Sequence, residues 1–80
     1  MPKSKLTATE NILFRQLEFG TENQKRTNPF SGESVMLTPE AVSVHDFIKT
    51  TEQTQNYELM ETAIGIFIKK WPDEYMKLID

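Results

Sequence analysis

The sequence predicts a mainly α protein, a compact small bundle of three principal helices with a short C-terminal helix. Three observations support this prediction. Apolar side chains recur at spacings of three and four over residues 57–71, which is the period of an amphipathic helix. Two earlier segments begin with helix N-cap signals. Between them, residues 28–32, NPFSG, predict a turn or short β-hairpin near residues 26–37.

The first helix is predicted to begin after Thr7, which has Glu10 three residues later in the capping-box spacing. In that motif the hydroxyl and the carboxylate each satisfy a backbone amide that the helix leaves unpaired. Gly20 stands where a left-handed C-terminal cap belongs and marks the expected end. Residues 1–5 are expected to form a flexible tail, and residues 6–80 a single small helical domain. The predicted inner face of this helix consists of Ile12, Leu13, Phe14 and Leu17.

Residues 21–28 hold no apolar side chain and are predicted to be a solvated linker. Residues 34–37, SVML, could extend as a short strand that pairs with residues before the turn. Within the turn, Asn28 is expected to accept a hydrogen bond from the amide of Phe30, and Gly32 to adopt a positive backbone angle. Phe30 is then expected to pin the loop onto the core, so the turn is interpreted as a structural corner rather than a recognition loop.

Thr38, Pro39 and Glu40 form the strongest helix-start signal in the chain. The Thr38 hydroxyl can cap the helix, and Pro39 suits the first helical position because its missing amide is not needed there. Glu40 favours the positive end of the helix dipole. This helix is predicted to run from Pro39 to about Thr51. Its predicted buried residues are Ala41, Val44, Phe47 and Ile48.

The third helix is predicted over residues 57–70, and its apolar stripe makes it the expected central helix of the core. Gly65 within it would cost about 1 kcal/mol relative to alanine, and a close helix crossing is the usual reason for such a glycine. Pro72 ends this helix and begins the terminal one. The predicted stripe consists of Tyr57, Met60, Ala63, Ile64, Phe67, Ile68 and Trp71, and the terminal helix is expected to add Tyr75, Met76, Leu78 and Ile79.

The composition is that of a globular chain, since 38% hydrophobic residues is too apolar for a wholly disordered one. The net charge of −3 argues against a dedicated nucleic-acid binder, whose affinity depends on neutralising phosphates. The absence of cysteine excludes disulfides, thiolate catalysis and cysteine-rich zinc sites. The basic N-terminus lacks a signal-peptide core, and the longest apolar run, residues 63–68, is too short to span a bilayer. We therefore expect a soluble intracellular protein without a membrane partner.

The sequence shows no catalytic or metal-binding pattern. His45 is the only histidine, and neither Ser43 nor the adjacent Asp46 would face it on a helix. A partly exposed or hydrogen-bonding histidine is the favoured interpretation. The carboxylates form no strong cluster, and the glycines belong to no phosphate-binding motif. We therefore expect a protein that is not an enzyme and has no cofactor or metal.

Aromatic side chains cluster near the C-terminal end of the chain at helical spacings. Most are expected to belong to the core, but Trp71 lies at a predicted helix–helix corner where one edge can stay exposed. Exposed aromatic residues beside methionines mark protein-binding surfaces. The candidate partner-binding residues are Phe30, Trp71, Tyr75 and Met76.

Basic residues fall at three separate places in the chain. Scattered solubilising charge is the favoured interpretation, and a phosphate-binding patch is the alternative if the fold brings these residues together. On that alternative, the candidate phosphate-binding residues are Lys25, Arg26, Lys69 and Lys70.

Four distinctive short motifs lie within residues 28–80: Asn28-Pro29-Phe30 with Gly32, Leu37-Thr38-Pro39 with Ala41-Val42, Asp46-Phe47-Ile48, and Trp71-Pro72 with Glu74, Tyr75, Leu78 and Asp80. Taken together, these motifs resemble those of a family of small uncharacterised proteins encoded by tailed bacteriophages. Residues 1–27 take no part in the resemblance. The resemblance implies a phage origin and expression in the cytoplasm of the infected bacterial host, and it implies no activity.

The favoured function is that of a non-enzymatic phage accessory protein that binds and modulates a host or phage protein. The alternatives are a nucleic-acid or nucleotide-binding phage protein and a self-associating virion or structural component. Salt separates the first two, because phosphate-driven binding weakens steeply as salt rises. Asn28-Pro29-Phe30 also matches a tripeptide read by endocytic adaptor domains of eukaryotic cells, but a three-residue match is common by chance and a phage protein would have no such partner.

Overall fold

The computed structural model describes residues 5–78 of the 80-residue chain. Within this range four helices and a two-stranded antiparallel sheet form a compact globule, which confirms the predicted mainly α fold with a hairpin. Most of the predicted tail, and the expected apolar residue Ile79, lie outside the described residues. The elements are α1 (Ala8–Gln16), β1 (Gln24–Thr27), β2 (Ser34–Leu37), α2 (Pro39–Gln53), α3 (Tyr57–Lys70) and α4 (Pro72–Leu78).

The start of α1 is the predicted capping box. The amide of Glu10 donates to the Thr7 hydroxyl at 3.2 Å, and the amide of Thr7 donates to the Glu10 carboxylate at 2.9 Å. The predicted end is wrong, because α1 stops at Gln16 and Gly20 does not cap it. The chain leaves the helix early because the Glu18 carbonyl accepts a hydrogen bond from the Ser43 hydroxyl of α2 at 2.7 Å.

The inner face of α1 is rotated from the predicted one. Leu13 is buried, and Phe14 and Leu17 are half-buried, but Ile12 is exposed, so its predicted burial is wrong. The reason is that Glu10 occupies the inward position one turn before Leu13. A stripe that contains positions 10, 13 and 17 leaves position 12 on the outside of the helix.

The hairpin pairs Gln24 with Leu37 and Thr27 with Ser34 at its two ends. Half of the segment predicted to be a linker, residues 24–27, therefore lies in strand β1, so the linker prediction is wrong there. The predicted pairing of residues 34–37 with residues before the turn is confirmed. Polar side chains suit this strand because it lies at a sheet edge and faces solvent. Leu37, at the end of β2, is buried and joins the hairpin to the core.

Helix α2 begins as predicted, with the Thr38 hydroxyl accepting from the amide of Ala41 at 3.4 Å. It runs two residues past the predicted end, to Gln53. Of the four residues expected to be buried, Phe47 is only half-buried. The other three are buried as predicted: Ala41, Val44 and Ile48.

Helix α3 has the predicted bounds and lies between α1 and α2, with which it makes the main helix–helix contacts. Its buried face is shifted from the predicted stripe, because contact with helices on two sides requires a wider face. Ile66 was not predicted and is fully buried, whereas Tyr57 and Ile68 are exposed. At Gly65, where a close helix crossing is predicted, the neighbour is the Glu10 side chain of α1, with whose carboxylate a Cβ atom there would collide.

Helix α4 begins at Pro72, as predicted, and packs on α3 and β2. Leu78 is buried, and the half-buried Tyr75 places its ring 6.4 Å from that of Phe67. Met76 is exposed, so its expected place on the apolar face is wrong. Tyr75 and Leu78, three residues apart, form the inward face of this helix, and Met76 lies about 100° from Tyr75 around the helix, outside that face.

Candidate functional site

The turn at residues 28–32 is fixed by the side chain of Asn28, which is only 2% exposed. Its Oδ1 accepts from the amides of Phe30 at 2.8 Å and Ser31 at 3.4 Å, as predicted for Phe30. Its Nδ2 donates to the Lys77 carbonyl, at the end of α4, at 3.0 Å. Gly32 has the predicted positive φ, +76°. The turn is therefore held both internally and against the helical body.

Phe30 stands at the tip of this turn and is 95% exposed. The prediction that it plugs the loop onto the core is wrong. Asn28 occupies the inward position instead, and its hydrogen bonds to the turn and to α4 provide the anchor that an aromatic ring was expected to provide. The sequence identified the turn from Asn28-Pro29 but gave no sign that the Asn28 side chain also anchors the turn to α4.

A groove of about 260 Å³ lies beside Phe30, between α2, α3 and the end of α4. We call it the Phe30 groove. It has apolar walls, and exposed side chains of both charge signs stand at its edge beside Phe30. The walls are formed by Ile48, Met60, Ile64 and Leu78, and the charged edge residues are Lys49 and Glu52.

His45 lines the same groove but is used structurally. The Arg26 guanidinium lies 3.4 Å from its Nδ1 and 2.9 Å from the Asp46 carboxylate. Because arginine can only donate, Nδ1 can take part in this hydrogen bond only as an acceptor, which requires the neutral ring. Burial lowers the pKa of His45, the nearby charges of Arg26 and Lys49 lower it further, and Asp46 opposes them. The hydrogen-bonding histidine expected from the sequence is confirmed, and Arg26 joins the hairpin to α2.

A second cleft, of about 670 Å³, lies between the start of α1 and the end of α3. We call it the lysine cleft. Lys5, Lys69 and Lys70 line it, together with the half-buried Trp71. Lys69 forms an ion pair with Glu10, at 2.7 Å between Nζ and Oε1. The Lys70 ammonium lies over the Trp71 ring, 5.8 Å from its centroid.

Glu10 is a buried carboxylate with three structural interactions. Burial raises its pKa, but hydrogen bonds from Lys69 and from the Thr7 amide, with the charge of Lys69, outweigh burial and hold the pKa below its ordinary value. The carboxylate therefore stays ionised at neutral pH. Its hydrogen bonds cap α1 and tie α1 to α3.

The four candidate phosphate-binding residues occupy two separate places. Lys69 and Lys70 line the lysine cleft, but Lys25 and Arg26 lie on the hairpin. There Lys25 lines a shallow depression with Met36. Arg26 and Lys69 each form an ion pair with a carboxylate, which leaves less of their charge for a phosphate.

The four candidate partner-binding residues also separate. Phe30 lines the Phe30 groove and Trp71 the lysine cleft. Tyr75 is half-buried against Phe67, and Met76 is exposed on α4. Of the four, Phe30 has the greatest exposure and the apolar groove beside it.

Two further findings concern the part of the chain that the structure describes. No group of three or more histidine, aspartate or glutamate side chains between residues 5 and 78 is arranged to hold a metal ion. None of the helices in this range combines the length and the apolar character needed to cross a bilayer.

The chain was compared with protein-family models, with curated proteins and with solved structures. None of the three comparisons gives a match.

Proposed function

We propose that this chain is a non-enzymatic accessory protein that binds another protein through Phe30 and the Phe30 groove. The observation that supports this most directly is the 95% exposure of Phe30 on a turn held by the hydrogen bonds of the buried Asn28 side chain. A large aromatic residue held in place loses little conformational entropy on binding. Aromatic anchors of this kind contribute a large share of the affinity in many protein interfaces.

The resemblance to small phage proteins suggests what the partner is. A phage accessory protein would meet a host or phage protein in the cytoplasm of the infected bacterium, and would modulate it by occupying one of its surfaces. No catalytic group is required for that role. In agreement, the two described residues whose pKa values shift, Glu10 and His45, both make structural contacts.

The lysine cleft supports a second candidate function, nucleic-acid or nucleotide binding. It brings Lys69 and Lys70 together with Trp71, which combines positive charge with an aromatic ring. The ion pair of Lys69 with Glu10 and the presence of Glu40 in the same cleft oppose a polyanionic ligand. For this reason we place it second.

The test is capture of partners from a lysate of the bacterial host with tagged wild type, Phe30→Ala and Met36→Ala. Met36 is the matched control, because it is also an exposed apolar residue of the hairpin region, at 58%. We expect a partner that wild type and Met36→Ala retain and that Phe30→Ala loses. Equal capture by Phe30→Ala would reject the proposed surface. Capture of nucleic acid that disappears in high salt and with Lys70→Ala would favour the second candidate.

A further inference from the structure

The Phe30 groove and the side chain that could fill a groove of this kind stand next to each other. Phe30 projects into solvent at the edge of the groove, so its ring does not occupy the groove of its own chain. In a dimer with two-fold symmetry, the same patch on each copy both gives and receives a contact. A projecting aromatic ring beside an apolar groove can do both, because the ring of each copy can enter the groove of the other.

The size and walls of the groove suit a side chain. Its volume of about 260 Å³ is below the range of roughly 300–1,000 Å³ that is typical of small-molecule sites. Aliphatic and thioether side chains form its walls, including Ile48, Met60 and Ile64. An aromatic ring placed against these side chains would exchange water for apolar contacts.

The charges at the edge are self-complementary. Lys49 and Glu52 are both exposed and both line the groove. Neither takes part in the two ion pairs found within residues 5–78. If the two-fold axis passes between these side chains, Lys49 of one copy faces Glu52 of the other, and symmetry repeats that contact on the opposite side. Charge pairs at an interface edge contribute mainly to orientation and specificity.

We propose that a second copy of this chain occupies the Phe30 groove, with each Phe30 ring inserted into the groove of the other copy. This inference rests on the proposed function in taking Phe30 as a docking residue. A second copy of the chain is then the molecule that covers the Phe30 groove when no other protein is bound there. The net charge of −3 per chain opposes association only weakly.

The first experiment is sedimentation equilibrium of the full chain over a range of concentrations. We expect wild type and the control Met36→Ala to approach twice the chain mass of 9.3 kDa as concentration rises. Phe30→Ala is expected to remain monomeric, with self-association weakened at least tenfold. A monomeric wild type at every concentration would overturn the inference, and so would a Phe30→Ala variant that dimerises like wild type.

A charge exchange tests the two-fold arrangement independently of Phe30. Lys49→Glu and Glu52→Lys each place like charges opposite each other, and each is expected to weaken self-association. An equal mixture of the two single variants is expected to form a heterodimer, and the double variant to regain self-association. If the mixture associates no better than either variant alone, the arrangement is wrong. Both positions are exposed, and circular dichroism of each variant verifies that it is folded.

The outcomes separate this inference from the proposed function. A monomeric wild type that captures a host protein through Phe30 rejects the inference alone. A Phe30-dependent dimer whose Phe30→Ala variant still captures that host protein rejects the proposed function alone.

Discussion

At the scale of single residues, a carboxylate and a glycine determine how closely α1 and α3 approach. Glu10 caps α1, forms an ion pair with Lys69 and lies over Gly65, where an added Cβ would meet its carboxylate. The atoms that such a Cβ would meet all belong to Glu10, so the requirement for glycine depends on that side chain. A carboxylate in a helix crossing is costly to bury unless its hydrogen bonds are satisfied, as these are.

Gly65→Ala is therefore expected to lower the free energy of unfolding by about 1 kcal/mol. Alanine favours the variant by roughly 1 kcal/mol through its higher helix propensity. The free-energy cost of displacing the Glu10 carboxylate from its hydrogen-bond partners is expected to be larger than that gain. In a Glu10→Ala background the same substitution is expected to be stabilising, because the obstructing atoms are gone. Urea denaturation of the four proteins gives the cycle, and additive effects would contradict this account.

A second single residue, His45, makes the free energy of unfolding depend on pH. Burial, with Arg26 and Lys49, holds its pKa below the ordinary 6.5, so the unfolded chain binds a proton at a higher pH than the folded one does. Stability is therefore expected to fall as pH is lowered from 7 through 6.5. The slope should not exceed about 1.4 kcal/mol per pH unit, the limit for one proton.

Because His45 is the only histidine, the pH dependence can be assigned to it. Urea denaturation at several values between pH 7 and 5.5 measures it, and His45→Gln should remove most of the slope in this interval. A wild-type stability that rises on acidification would reverse the sign and reject the neutral, buried state. Glu10 contributes at lower pH, since its pKa lies below 4.5 and stability from it is lost only as the pH falls past that value.

At the scale of elements, helix starts could be predicted from sequence far better than helix ends. The caps at Thr7 and Thr38 depend on side chains within three residues of the backbone amides that they bind. The end of α1 depends on a distant partner, since Ser43 of α2 holds the segment that follows it and this contact has no local sequence signal. Strand β1 has no apolar pattern of its own, and its pairing could be predicted only from the turn that brings β2 beside it.

The end of α2 is a second helix end that has no sequence signal. The amide of Asn56 donates to the Thr51 carbonyl at 2.9 Å and that of Gln55 to the Glu52 carbonyl at 3.2 Å, the pattern of a Schellman cap. Gln55 has a φ of +60°, where glycine is the usual residue. A glutamine there has a backbone conformation that costs about 1–2 kcal/mol for a residue with a Cβ.

Gln55→Gly is therefore expected to raise the free energy of unfolding by about 0.5–1 kcal/mol. Glycine removes the backbone strain at positive φ, which stabilises the folded chain. It also raises the conformational entropy of the unfolded chain, and we expect this destabilising effect to be smaller. Gln55→Ala is the matched control and should give no such gain, because alanine retains the Cβ. Chemical denaturation measures both variants, and a glycine variant less stable than wild type would contradict the assigned cap.

At the scale of the whole molecule, the fold class followed from helical periodicity and turn chemistry, but the candidate site did not. The Phe30 groove joins residues from the turn, α2, α3 and α4, which are distant in sequence. The sequence marks Phe30 as a candidate binding residue but predicts that it is buried, because apolar side chains usually lie in the interior. In the structure Asn28 is inside, where its side chain donates a long-range hydrogen bond to the Lys77 carbonyl, and Phe30 is outside.

The central claim is that the turn is held by Asn28 and presents Phe30 for binding. The measurement that tests it most directly is the free energy of unfolding of wild type, Phe30→Ala and Asn28→Ala at a chain concentration at which all three are monomeric, because self-association through Phe30 would add to the stability of wild type. We predict a change within about 0.5 kcal/mol for Phe30→Ala, as for an exposed residue, and a loss of about 2 kcal/mol for Asn28→Ala, which removes buried hydrogen bonds. A loss of 2 kcal/mol or so for Phe30→Ala, with Asn28→Ala close to wild type, would show that Phe30 is the plug and contradict the account.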